Sequence, residues 1–178
     1  LQLAVLGAIA VSSLRVSRIV RHARPAPDTS RRLLKESMAQ TSCTVPVRLV
    51  HSTDIPLPMI AGLLRPVLLL PEGIELQLTR EQLRHVFIHE LMHLRRGDIA
   101  GNWIMALAQA LHWFNPVVWF AFFRMRLDRE LACDAATLKH LAPSERAGYG
   151  HTLLQLNDAV ARKGLPAMAL GILDSPSD

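Results

Sequence analysis

Thr79-Arg80-Glu81-Gln82-Leu83-Arg84-His85-Val86-Phe87-Ile88-His89-Glu90-Leu91-Met92-His93-Leu94 decides how the rest of this chain is read. Thr79 with Gln82 three residues on is a capping-box signature for a helix start. Leu83, Val86, Phe87 and Leu91 keep a helical spacing, and no glycine or proline intervenes before Gly97. His89-Glu90-Leu91-Met92-His93 is therefore an H-E-x-x-H motif on a helix. Residues four apart share one helical face, so the imidazoles of His89 and His93 can address a single metal ion. Glu90, beside the first histidine, then reaches a water held there and can take its proton. The bland alternative is an amphipathic helix with a surface glutamate and two histidines. The strong cap, the apolar flank and a matching acid downstream favour the metal.

The composition points towards a membrane. Half of the 178 residues are hydrophobic, a high share for one domain of this size, and 20 basic residues against 15 acidic leave a net charge of +5. Leu1 to Leu14 carry no charge, and then come Arg15, Arg18, Arg21, Arg24, Arg31, Arg32 and Lys35 against Asp28 alone. An apolar run followed by basic residues fits a transmembrane helix ending on the cytoplasmic side. Fourteen residues are too few for about 30 Å of hydrocarbon, so the chain is expected to begin inside that helix, as a fragment does. Residues 1–20 are thus assigned to a transmembrane helix end with its basic juxtamembrane segment. Residues 21–178 are assigned to a cytoplasmic-side domain. A signal peptide would place its charge before the apolar run. Direct nucleic-acid binding is excluded by the clustering of the basic residues behind that run and by the lack of a recognition motif. Cys43 and Cys133 offer no pairing framework and read as free thiols.

Arg24 to Pro27 reads as a linker and Ser30 to Thr41 as an amphipathic helix. Strand character marks Val45 to His51, Met59 to Leu64 and Pro66 to Leu70. Val67-Leu68-Leu69-Leu70 lacks polar alternation, so both of its faces are expected to be buried. Ile99 to Phe123, 25 residues, contain no Asp, Glu, Lys or Arg. As one straight helix this segment would run about 37 Å and carry everything after Arg124 across a bilayer from His93. Asn115-Pro116 argues instead for a new helix start, with Asn as cap and Pro in the first helical position. The segment is expected to fold as a helical hairpin, buried in the domain or dipping into the membrane face. Trp103, Trp113 and Trp119 suit an interface or an ordinary core equally well.

The hairpin would return Glu130 to the level of the motif helix. A catalytic zinc takes three protein ligands and keeps one position open, and Glu130 completes a His-His-Glu set. Asp134, four residues further on, shares that face and can fix the tautomer of a ligand histidine. Asp98 is a second candidate for that duty, although capping the helix that starts at Ile99 explains it equally well. His85 shares the motif's face and is a candidate to line the site. His112 reads as a satisfied buried histidine. Tyr149 and His140 are the candidates for the oxyanion donor that acyl chemistry needs.

Four blocks together resemble the BlaR/MecR type of integral-membrane zinc metallopeptidase, over about Val45 to Leu156. They are Gly62-Leu63-Leu64-Arg65-Pro66-Val67-Leu68-Leu69-Leu70-Pro71, the H-E-x-x-H motif with Arg96 and Asp98, Trp113-Phe114-Asn115-Pro116, and Arg129-Glu130-Leu131-Ala132-Cys133-Asp134. The resemblance implies an α+β, mostly helical, zincin-like (gluzincin) domain with a small sheet and an apolar hairpin. It implies zinc on His89, His93 and Glu130, Glu90 as general base and Asp134 behind a ligand. It also implies that Val67, Leu68, Leu69 and Leu70 form the edge strand on which an extended substrate lies. Such proteins cut themselves or inactivate a transcriptional repressor, under the control of an extracellular sensor. The alternative is a non-catalytic membrane signal transducer in which the metal site is structural, where Glu90 would have no task.

Overall fold

The computed structural model describes residues 2–162. The last part of the expected domain, residues 163–178, lies outside them. Helix α1 (Gln2–His22) leads through β1 (Arg24–Pro25) to α2 (Asp28–Gln40). Strands β2 (Arg48–Ser52), β3 (Met59–Ala61) and β4 (Val67–Pro71) follow. After a short α3 (Ile74–Gln77) come α4 (Arg80–Arg96), α5 (Asp98–Leu111), α6 (Pro116–Lys139), a 3-10 turn at Pro143–Glu145, and α7 (Arg146–Arg162). The fold is α+β and mostly helical, with one small mixed sheet.

The strand order is β1-β2-β4-β3. β4 runs parallel to β2 (Leu49 opposite Leu68) and antiparallel to β3 (Ile60 opposite Leu68). The expectation that Val67–Leu70 forms a sheet edge is therefore corrected. β4 has a partner on both sides, and the turn that brings β3 back is what encloses it. That turn depends on Gly62, at φ +91°, where a Cβ would stand 2.6 Å from the Arg65 carbonyl oxygen. The double burial expected for Val67–Leu70 does hold. Leu68 and Leu70 pack with Leu33 and Leu34 of α2 and with Phe87 and Leu91 of α4. Val67 and Leu69 face the other way, onto Val16, Ile19 and Val20 of α1. The expected boundary at residue 20 thus falls inside a helix that covers one face of the sheet. Among the described residues no helix is long and apolar enough to cross a membrane.

Helix α4 forms for the reasons its sequence states. The Thr79 hydroxyl accepts from the Gln82 N–H, and the Gln82 side chain accepts from the Thr79 N–H in return. Gly97, at φ 72°, ends the helix in the left-handed conformation. Phe87, Ile88 and Leu91 are wholly buried, each worth about 1.5–3 kcal/mol of hydrophobic transfer. Phe87 and Leu91 meet the sheet and α2, whereas Ile88 meets Leu141 and Tyr149. The third face of α4 carries the motif histidines.

The uncharged segment does fold back. Asn115 caps α6 by accepting from the Val117 N–H at 3.0 Å, with Pro116 in the first turn. The Trp119 indole N–H donates to the Trp113 carbonyl across the corner, at 2.9 Å. The hairpin is not buried in the domain, however. Ile104, Phe114, Val117 and Phe120 are each about two-thirds exposed. Trp103 and Trp119 are also exposed, so neither is a core tryptophan.

Candidate metal centre

Two side-chain hydrogen bonds fix the far arm of the hairpin, one to α4 and one to α5. Arg96 donates to the Ala132 carbonyl at 3.3 Å, and Arg129 donates to Asn102 of α5. Glu130 is thereby carried beside the motif. His89 Nε2 and His93 Nε2 lie 3.1 Å apart. Glu130 Oε2 stands 3.5 Å from His93 Nε2 and 3.9 Å from His89 Nε2. A tetrahedral ion with ligands at about 2 Å separates any two of them by about 3.3 Å. These three atoms fit a zinc ion, and Glu130, about half exposed, leaves the site open to solvent on its side.

The outer nitrogens are held as well. His93 Nδ1 meets Asp98 Oδ2 at 2.7 Å. Gly97 takes the cap position of α5, and the Asp98 oxygen that meets the histidine also accepts from Arg96 Nε at 3.4 Å. His89 Nδ1 lies 2.7 Å from the Tyr149 hydroxyl and 3.3 Å from Asp134 Oδ1. The phenol donates to Asp134 Oδ1 at 2.6 Å. Its one hydrogen is thus committed, so it accepts from His89 Nδ1–H and leaves Nε2 bare towards the metal position.

Glu90 is buried beside both imidazoles and makes no hydrogen bond or ion pair among the described residues. Cys133 is wholly buried, and its sulfur lies within 4.8 Å of ligand atoms on both histidines. Cys133 Sγ bonds the His89 backbone carbonyl at 3.4 Å and sits 3.9 Å from the outer nitrogen, Nδ1. Glu130 Oε2 is the carboxylate oxygen that faces both Nε2 nitrogens.

Around the two imidazoles, acids and protons set the charge balance. Burial works against charging His93, but hydrogen bonds to Asp98, Cys133 and Glu130 outweigh it and push the imidazole up to about 12. His89 rises to about 10 against the same opposition from burial, chiefly through Asp134 and Cys133. Burial raises Glu130 and Asp134, yet the paired histidines hold both below the usual carboxylate range. Burial and the bond to Asp134 push the Tyr149 phenol far above its ordinary value. Glu90, Asp98, Glu130 and Asp134 crowd two imidazoles, a set that demands positive charge from protons or from a dication.

Other expectations resolve differently. Tyr149 is turned towards Asp134 and His89, behind the site, and is not placed as an oxyanion donor. His140 faces Arg95 instead. His85 packs against α7 through Thr152 and does not line the site. His112 is exposed and bonds the Ala108 carbonyl. No spacing signal marked Tyr149 as a partner of His89. The only clue was that it is the chain's single tyrosine.

The family model of the BlaR1 peptidase M56 matches residues 1–178. The regulatory protein BlaR1 of Bacillus licheniformis is 32% identical over 116 residues, which is 65% of this chain and 19% of that protein. The methicillin resistance mecR1 protein of Staphylococcus aureus (strain Mu50 / ATCC 700699) is 28% identical over 109 residues, 61% of this chain and 19% of that protein. The chain thus spans 19% of the length of the curated relatives it matches. With the motif helix, the returning acid and the full-length match together, the chain belongs to the BlaR1 peptidase M56 family.

Proposed function

We propose that this chain is the zinc endopeptidase unit, zincin-like (gluzincin) in fold, of a membrane-tethered signal transducer. The carrying observation is that His89 Nε2, His93 Nε2 and Glu130 Oε2 converge while Glu90 stays buried and unpaired beside them. A bound zinc supplies Lewis acidity that polarises a peptide carbonyl and acidifies water. Glu90 takes the proton of the attacking water on its carboxylate and returns it to the leaving amine. Asp98 and the Tyr149–Asp134 pair keep the two imidazoles in the tautomer that points Nε2 forward. With β4 enclosed, the free edge next to α4 belongs to β3, and an extended protein substrate pairs there.

The bilayer supplies the tether. Exposed Leu6, Val11 and Leu14 of α1, and the outward apolar side chains of the hairpin, support contact with lipid. Arg15, Arg18 and Arg21, which follow the apolar start of α1, support a cytoplasmic active site. Substrates that suit this place are the protein itself or a transcriptional repressor.

The test is Glu90→Gln in the zinc-loaded chain, reconstituted in nanodiscs and given a fluorogenic peptide library. The variant should keep its zinc and lose cleavage. A Glu90→Gln chain that still cleaves overturns the reading. Unchanged signalling by that variant in cells favours a purely structural metal.

A further inference from the structure

We propose that Glu81, His85 and Glu145 form a second divalent-cation site, at the junction of α4 with the start of α7. Glu81 and His85 lie four apart on α4 and share a face. Glu145 closes the 3-10 turn that leads into α7. Each offers a ligand atom, and these atoms lie within 4.8 Å of one another.

The decisive group is His85, 1% exposed, whose Nε2 is buried with no hydrogen-bond partner. Thr152 spends its only hydroxyl hydrogen on the Gly148 carbonyl at 2.9 Å. In the 3.3 Å contact between Thr152 Oγ1 and His85 Nδ1 the donor must therefore be Nδ1–H. Burial, and then the nearby Arg84, hold the imidazole's pKa below its ordinary value, although Glu81 and Glu145 push the other way. In the neutral ring Nε2 is then a bare lone pair. The ring lies along α7, with Nδ1 at Thr152 and Cε1 facing Gly148. A ring nitrogen lies within 4.8 Å of a carboxylate oxygen of both Glu81 and Glu145.

A bare nitrogen beside two carboxylates, with no proton between them, is a repulsive arrangement that a cation relieves. Arg84 donates to Glu145 Oε1, and the Ala142 N–H donates to Oε2 at 3.0 Å. Arg84 thus neutralises one carboxylate charge and leaves one net negative charge with the imidazole. One nitrogen and two carboxylates suit zinc or manganese better than calcium, which prefers an all-oxygen shell. An ion here staples the start of α7 to α4. Tyr149, one turn further along α7, is the residue that holds His89 and Asp134, so occupancy of the second site fixes the support of the first.

Only that last link rests on the peptidase reading, and metal counting separates the two. The chain, stripped by chelation, is dialysed against buffered zinc and analysed for metal per chain. The parent should hold two zinc ions, Glu81→Ala and Glu145→Gln one each, His93→Ala one, and Glu81→Ala with His93→Ala none. Glu81 is exposed, so its removal leaves the core intact. A parent with one ion, kept by Glu81→Ala and lost by His93→Ala, overturns the second site and leaves the peptidase reading standing. A parent with one ion, lost by Glu81→Ala and kept by His93→Ala, supports the second site and sinks the first.

Discussion

Helix α4 and the α5–α6 hairpin are both rich in large apolar side chains, and the chain treats them in opposite ways. Around α4 the protein closes on itself. Phe87, Ile88 and Leu91 have no exposure, and Tyr149 and Asp98 hold the outer nitrogens of His89 and His93. The hairpin turns Ile104, Leu107, Leu111, Val117 and Phe120 outward, with no element of the described chain to cover them. Apolar content states that a surface costs free energy in water, but not what covers it. One region supplies its own cover and can therefore hold the motif side chains rigidly. The other presents the face that the proposed bilayer would take.

The largest expected effect lies on α4. Glu90→Gln should lower cleavage by about 10²–10⁴-fold, the range for loss of a positioned base, with zinc content unchanged. Next comes the direct contrast between the two regions. Leu91→Ala should cost about 2–5 kcal/mol in chemical denaturation. Phe120→Ser should cost no more than about 0.5 kcal/mol in detergent while reducing sedimentation with anionic vesicles. Equal costs at both positions would erase the distinction.

Smaller effects sharpen the account of the polar face. Tyr149→Phe keeps the ring against Ile88 and removes only the hydroxyl. It should weaken zinc binding about 10–100-fold, as should Asp98→Asn, when a chromogenic chelator competes for the metal. An affinity that does not move in Tyr149→Phe leaves the phenol without a part in the site.

The pH dependence follows from the same pairs. The surrounding acids push His89 up to about 10 and His93 up to about 12 in the folded chain, against an ordinary value of about 6.5. Groups raised on folding stabilise fully below the unfolded value. Metal-free stability should accordingly fall as pH rises from about 6.5 towards 10. Glu130 and Asp134, lowered on folding, work in the other sense and lose their contribution on acidification. Zinc competes with the histidine protons, so the shift in melting temperature that it causes should grow over the window in which the metal-free chain weakens. A zinc shift that shrinks with rising pH would contradict the assignment of the imidazoles as ligands.

What the sequence made legible were the features that local rules govern. The capping box of α4, the Asn-Pro corner and the return of Glu130 follow from residue types at fixed short spacings. Features set by distant neighbours stayed hidden. The enclosure of β4 depends on where β3 lands, and a buried apolar run reads the same at the centre of a sheet as at its edge. Asp98 read equally well as a cap or as a partner for histidine until Gly97 proved to take the capping position. The contact between Tyr149 and His89 spans 60 residues, and no periodicity links them.

A small predicted effect bears on the corner that joins the two regions. Asn115 contributes one side-chain bond, to the Val117 N–H, and Asn→Ala at a helix cap costs about 1 kcal/mol. Pro116 still fixes the first turn of α6, and Trp119 still bonds the Trp113 carbonyl. Asn115→Ala should therefore lower stability slightly and leave zinc affinity alone, because Arg96 and Arg129 hold the Glu130 end of α6 independently. Loss of zinc binding in this variant would mean that the corner itself sets the position of Glu130. The covered region would then depend on the exposed one, and the two could not be treated as separable.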